Sequence, residues 1–405
     1  MRALAINHDT RRLSTAYLFS KIGEFAFEAA FAVSVVQLTN ANLLLIGVIY
    51  FLRYIPTLIF SPLGGWLADN YSKRKILISA ELIKAIAAII LFFTSEAFDS
   101  PIIVIIFASM IMTTGDCLYS PTFRSYFPHV VEKNQLSSLN SGLQAIEDCS
   151  SIIGPLIFSL ITIAFFPALT FLFFLACLIA SAAWLLALRE FPTSNTTALQ
   201  PYSIIKEAMQ SIGRIRQSNP SLFTVICCTT LCAIFATSIL RFILPAAVLE
   251  EFHIEAAVGY VNSLLATGTV LGSILYEKFN LRTSSRSVVR YWWIYGCLLF
   301  ISALALNLST SAFIASLFFV GFVGAFVDIS IITNIQLLSL QSETGRNFSL
   351  YYFTAVLGDA LSGLVASIVF LIAGPATLIG MTFLLSVAPL AWGVKSDEDE
   401  KHDCI

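Results

Sequence analysis

The chain has 405 residues, 57% of them hydrophobic and 12% charged, with a formal net charge of −2. A water-soluble domain carries roughly twice that share of charge, so the composition excludes one and points to helices in a bilayer. The small net charge decides little, because in such a chain the placement of charges matters more than their sum.

Twelve apolar segments follow in chain order: 13–37, 43–68, 76–94, 102–122, 138–164, 167–188, 222–249, 257–276, 289–307, 312–338, 347–370 and 375–394. All are predicted helices, since a backbone exposed to lipid must satisfy its own hydrogen bonds. The start, MRALAINHDTRR, is polar and runs straight into the first segment, so no cleavable signal peptide is expected. Among the joints, 165–166 and 373–374 are the shortest.

Charge supports this count independently. Of 23 Lys and Arg, four lie inside predicted spans: Lys21, Arg53, Lys84 and Arg241. The others fall on one side of the alternation, at the N-terminus, Lys73 to Lys75, Arg124 and Lys133, Arg189 to Arg216, Lys278 to Arg286, Arg346 and the C-terminus, with Arg290 just inside the entry of its span on that same side. The opposite loops hold Glu96, Asp99, Glu250, Glu251 and Glu255 and no Lys or Arg. The positive-inside rule then predicts an integral membrane protein with both termini cytoplasmic, in the cell (inner) membrane.

The expected organisation is a six-helix half over 1–189, a cytoplasmic linker over 190–221, a second half over 222–395 and an acidic tail over 396–405. Within the linker, residues 202–217 (YSIIKEAMQSIGRIRQ) place Ile204, Ile205, Ala208, Ile212 and Ile215 on one helical stripe. That stripe fits a helix lying on the membrane surface or a solvated linker helix. A shift of 208 residues lays Gly64, Leu67, Asp69 and Arg74 over Gly272, Leu275, Glu277 and Arg282, which suggests a duplicated half.

The stretch GGWLADNYSKRK, residues 64–75, resembles the loop between helices 2 and 3 of the major facilitator superfamily, whose signature reads G-x-L-A-D-R-x-G-R-K-R. Gly65, Leu67, Ala68, Asp69, Lys73, Arg74 and Lys75 match; Asn70 and Ser72 depart from the usual Arg and Gly. SKIGEFAFEAAFAVSVVQLT, LRYIPTLIFSPLGGWLAD, SPTFRSYFPHVV, LRFILPAAVLEEF and GRNFSLYYFTAVLGDALSG resemble the branch containing the enterobactin exporter. In the last of these, Gly345, Arg346, Gly358, Asp359 and Ala360 fit that branch's pattern. The resemblance implies an all-α major facilitator fold of twelve transmembrane helices in two halves. It also implies a cytoplasmic gate of Gly65, Asp69, Lys73 and Arg74, in which Asp69 meets the start of helix 11. One departure is in helix 5, where Gly154 and Pro155 remain but Phe158 and Ser159 replace the glycines of drug–proton antiporters.

Charge inside a membrane costs roughly 3 kcal/mol or more, so each instance needs a reason. Lys21–Glu24 and Glu81–Lys84 are three apart and can pair along their own helices. That leaves Glu28, Asp116, Glu147, Asp148, Asp328 and Asp359 facing two isolated bases, Arg53 and Arg241. In the family fold these residues lie on cavity-lining helices. Arg53, Arg241 and Glu28 are therefore candidates for substrate binding, and an Arg fork suits an acidic group. Asp116, Glu147, Asp148, Asp328 and Asp359 are candidates to carry a coupling proton; the competing reading is a salt-bridge network that only holds the bundle together.

His8, His129, His253 and His402 lie outside the spans, so proton coupling rests on carboxylates. The eight cysteines avoid the outward loops, which argues against structural disulfides, and Cys227, Cys228 and Cys232 read as small core residues rather than metal ligands. No phosphate-binding loop is present, no cofactor is implied, and the dispersed basic residues give no case for nucleic acid. The expected function is secondary transport by a monomer, as a proton-coupled antiporter exporting a small acidic solute such as a siderophore or drug-like compound. Import of a nutrient or lipid-like solute on the same fold stays open. A membrane-embedded enzyme lacks a nucleophile or metal motif at a membrane face.

Overall fold

The computed structural model describes residues 4, 6–39, 43–96, 102–190, 213, 215–217, 219–253, 255–279, 284–306 and 308–392. Among these residues the regular structure is helical throughout. The first six long helices are α1 (His8–Leu38), α2 (Leu43–Asn70), α3 (Lys73–Glu96), α4 (Ile102–Tyr126), α5 (Leu136–Ala164) and α6 (Leu169–Leu185). They are followed by α7 (Pro220–Phe252), α8 (Glu255–Tyr276), α9 (Ser285–Leu306), α10 (Thr310–Leu338), α11 (Thr344–Ala373) and α12 (Thr377–Val387).

Several ends follow from local chemistry. Asn7 caps α1, its Oδ1 accepting the Thr10 N–H at 2.8 Å, so the helix begins before its apolar stretch. Asn219 caps α7 through the Leu222 N–H at 3.1 Å, with Pro220 in the first turn where a missing donor costs nothing. Among the described residues, eight helices are long and apolar enough to cross a membrane: α2 to α5, α7 and α9 to α11. The α6 and α12 segments are shorter apolar helices, and α1 carries Lys21, Glu24 and Glu28 within its length.

The chain forms two compact units. The first comprises Met1–Lys133, Ile146–Ala208 and Leu340–Phe353; the second comprises Asn134–Ala145, Met209–Ser339 and Thr354–Ile405. In the first unit α2 and α3 pack on α4, and α1 and α3 pack on α6. Its core gathers Phe27, Phe31, Ala88, Met112, Phe171 and Phe174. In the second unit α8 and α9 pack on α10, while α7 and α9 pack on α12. The pairing of second, third, fourth and sixth helices is thus repeated. Gly64 of α2 lies against the Cys117 carbonyl of α4, and Gly272 of α8 lies against the Phe322 carbonyl of α10, so a Cβ at either would overlap backbone. These are the two glycines that the 208-residue shift superposes.

Most of the predicted surface helix 202–217 lies outside the described residues, as does the acidic tail 396–405.

Candidate functional site

Helical spacing assembles the site in the first unit. Tyr17, Lys21, Glu24, Glu28 and Phe31 recur at three or four residues along one face of α1. On α4, Asp116, Tyr119 and Phe123 recur similarly, with the Tyr17 and Phe123 rings stacked at 4.4 Å. Gly115 lets α4 approach α3, since a Cβ there would press into the Lys84 stem.

The charges join across helices. Arg53 of α2 makes a two-pronged pair with Glu28 of α1, one contact being 2.8 Å from Nη1 to Oε2 and the other from Nη2 to Oε1. The guanidinium also lies 5.0 Å from the Phe31 ring centroid. Arg53 is therefore not the isolated base predicted above: its fork is occupied by a carboxylate. Lys21 Nζ lies 3.0 Å from Glu24 and 3.6 Å from Glu147 of α5. Glu147 accepts from the Tyr17 hydroxyl at 2.6 Å and from Arg124 Nη2 at 3.4 Å.

Lys84 lies 3.1 Å from Glu81 on its own helix and 3.7 Å from Asp116 on α4. Glu81 also accepts the Ser181 hydroxyl of α6 at 2.6 Å. The Glu81–Lys84 pair is thus shared with α4 and α6 instead of being closed within α3. Arg124, counted above as a loop residue, sits buried in the last turn of α4. The predicted surplus of acids omitted Arg124 and the second partners of Lys21 and Lys84. Side-chain exposure separates the signs: Arg53 is 5% exposed against 34% for Glu28, and Lys84 is 0% against 20% for Asp116. In these two pairs, and in Arg124 with Glu147, the cation is the drier partner, whereas Glu81 is as dry as Lys84.

The predicted gate residues lie at the ends of α2 and α11. Asp69 accepts the backbone N–H groups of Gly345 at 2.7 Å and Arg346 at 3.0 Å, with Arg346 Nε at 3.4 Å. Those N–H groups belong to the first turn of α11, where a helix offers unpaired donors and a positive dipole end to an anion. Gly65 lies under the same turn, where a Cβ would stand 2.9 Å from the Arg346 Cα. One turn inward, Ser61 Oγ donates to the Ser349 carbonyl at 2.9 Å and Ser349 Oγ donates back to the Ser61 carbonyl. The neighbouring cations bond elsewhere: Lys73 Nζ donates to the Ala68 carbonyl, and Arg74 lies 3.7 Å from Glu190.

Arg241 and Asp328 lie in the second unit, both exposed. Arg241 is at the centre of a π turn, Ile239–Ile243, in which the Leu244 N–H reaches back to the Ile239 carbonyl. Pro245 explains the turn: without an N–H it cannot take the Arg241 carbonyl four residues back. Asp148, beside Glu147 on α5, is half-buried, and the Asp359 side chain lies outside those described. The residues that sequence reading missed are Tyr17 and Arg124. Tyr17 was open to detection, standing four residues before Lys21 on the charged face of α1.

Residues 13–363 match the family profile of the Major Facilitator Superfamily. Macrolide efflux protein A of Enterococcus faecalis is 24% identical over 230 residues, which cover 56% of this chain and 70% of that protein. Macrolide efflux protein A of Streptococcus pyogenes is 24% identical over 232 residues, or 56% of each chain. Among solved structures, a bacterial homologue of the iron transporter ferroportin in an outward-facing state superposes with a TM-score of 0.74 at 16% identity, covering 96% of this chain and 100% of that one. The human organic anion transporter MFSD10 (TETRAN) gives 0.77 at 13% identity, over 95% and 99% of the two chains. A variant of the Escherichia coli fucose:proton symporter FucP gives 0.70 at 13%, over 95% and 97%. At such identities the structural likeness establishes the fold.

Proposed function

The chain belongs to the Major Facilitator Superfamily and is a transporter rather than an enzyme; from that premise we propose that it exports a small solute in exchange for protons, by alternating access. One observation carries the coupling. Among the described residues of the first unit, Glu24, Glu28, Glu81, Asp116 and Glu147 form ion pairs with Lys21, Arg53, Lys84 and Arg124 or face them, five carboxylates to four cations. An excess carboxylate in a low-dielectric bundle is costly unless it takes up a proton. The partly exposed acids are the ones a proton can reach.

Export is favoured over import by the macrolide efflux proteins to which the chain is related. The charge alternation supports twelve spans with both termini cytoplasmic in the cell (inner) membrane, and the carrier works as a monomer. An acidic group on the solute would meet Arg241, whose side chain is exposed on its π turn. Siderophores and drug-like acids carry such a group.

The test uses inverted membrane vesicles with radiolabelled erythromycin or enterobactin as probes. An acid-inside gradient should drive accumulation, and a protonophore should abolish it. Accumulation that ignores the gradient contradicts proton coupling.

A further inference from the structure

The ion pairs that join these charges divide them into three groups. Arg53 and Glu28 stand one to one. Lys21 and Arg124 share Glu24 and Glu147, two cations to two acids, through contacts of 3.0, 3.6 and 3.4 Å. Lys84 serves two acids, Glu81 at 3.1 Å and Asp116 at 3.7 Å. The excess carboxylate of the five-to-four count therefore falls on the Lys84 group, between α3 and α4.

The two acids of that group are held differently. Glu81 sits on the lysine's own helix, accepts the Ser181 hydroxyl of α6 at 2.6 Å and is 1% exposed. Asp116 has the longer contact and is 20% exposed. Lys84 Nζ also lies 3.3 Å from Ser20 Oγ of α1 and 4.5 Å from the centroid of the Tyr119 ring. Around Asp116 are the fields of Glu24 and Lys21 on α1 and Arg53 on α2, with Tyr352 of α11; around Glu81 are Tyr119 of α4 and Cys177 of α6.

On the reading that this unit carries the coupling proton, we propose that Glu81 is its positioning residue: by holding Lys84 on α3, it leaves Asp116 as the under-neutralised acid that takes up and releases the proton. A negative charge in a low-dielectric bundle costs most where its cation is farther away, and water must reach the acid to deliver the proton. Asp116 meets both conditions and Glu81 meets neither. Lys84 stays protonated throughout, neutralised by Glu81 in its dry setting. The proton passes between water and a carboxyl oxygen of Asp116, so the group alternates between one net negative charge and none.

Infrared titration of the full-length protein in detergent, with no transported solute, reads the protonated carboxyl band directly. Asp116→Asn should remove it. Glu81→Gln keeps an acceptor for Ser181 and leaves Lys84 with Asp116 as its counter-charge, so this variant should fold. Its carboxyl midpoint should fall by about one pH unit, the scale on which a neighbouring charge acts, and the pH profile of efflux should move with it. The double variant Glu81→Gln/Lys84→Met also loses the cation at 3.7 Å, so its midpoint should lie above that of the wild type. Thermal unfolding confirms that each variant is folded. A titrating band that survives Asp116→Asn, or one midpoint common to the wild type and both folded Glu81 variants, overturns the proposal; gradient-driven efflux in the wild type would then leave proton coupling standing. Absence of any titrating band in the wild type, with gradient-independent efflux, overturns both.

Discussion

The Asp69 carboxylate accepts the backbone N–H of Gly345 at 2.7 Å, so the last turn of α2 caps the first turn of α11. The second oxygen takes the Arg346 N–H at 3.0 Å. One carboxylate thus serves two donors that an isolated helix would leave to water. The cationic neighbours Lys73 and Arg74 hydrogen-bond to other groups, so the latch is built from backbone donors, the helix dipole and the Arg346 side chain at 3.4 Å.

Asp69→Asn supplies one acceptor oxygen and turns an amide N–H toward the remaining donor. A hydrogen bond to a charged group is worth about 1.5–3 kcal/mol, so transport should fall about tenfold while expression stays near normal. Gly65→Ala should produce a similar loss, because the new Cβ must displace the Arg346 backbone. The double variant should be no worse than the stronger single one. Wild-type turnover in Asp69→Asn would reduce the motif to a cluster of topogenic charge.

Glu28→Gln leaves the Arg53 guanidinium buried without its ionic partner. The melting temperature in detergent should drop, and adding Arg53→Met should restore most of it, because an apolar side chain of similar length needs no counter-charge. If the double variant is as unstable as the single one, the pair is not the source of the loss.

Lys84 and Glu81 are both dry, at 0% and 1% side-chain exposure. Lys84→Met should therefore destabilise by about 3–5 kcal/mol, the cost of stranding a buried partner. Combining it with Glu81→Gln should recover part of that. Denaturant or thermal unfolding distinguishes this from a neutral change, which would show that Glu81 finds another cation or a proton.

Much of this was legible in the chain. Helix positions followed from hydropathy, and the likeness of residues 64–75 to a family signature led to Asp69 and its partner helix. Pairs three residues apart, Lys21–Glu24 and Glu81–Lys84, followed from helix geometry. Pairs between helices did not. Glu28 and Arg53 are separated by 25 positions, and no spacing rule joins α1 to α2, so Arg53 read as isolated. Arg124 was misassigned because hydropathy ends a span where polar residues begin, whereas α4 continues through Arg124 to Tyr126. The π turn at Arg241 had a signal in Pro245, whose missing donor acts four residues earlier.

Topology can be checked without a substrate. Single cysteines at His253, Thr310 and Gly374, in a cysteine-free background, should react with an impermeant maleimide on intact cells, and cysteines at Ser72 and Ser285 should not. Labelling of the second set reverses the orientation that the Lys and Arg distribution predicts.

The most direct test of proton-coupled export is a reconstituted pH-jump experiment on the purified protein. In proteoliposomes, a pH gradient alone should drive radiolabelled probe uphill, and a probe gradient alone should move protons, followed with a trapped pH dye. Asp116→Asn should abolish both while preserving exchange of labelled for unlabelled probe, which needs alternating access but no net proton transfer. Uphill transport at wild-type rate in Asp116→Asn, or probe flux with no proton movement in the wild type, would contradict the assignment of coupling to this charge network.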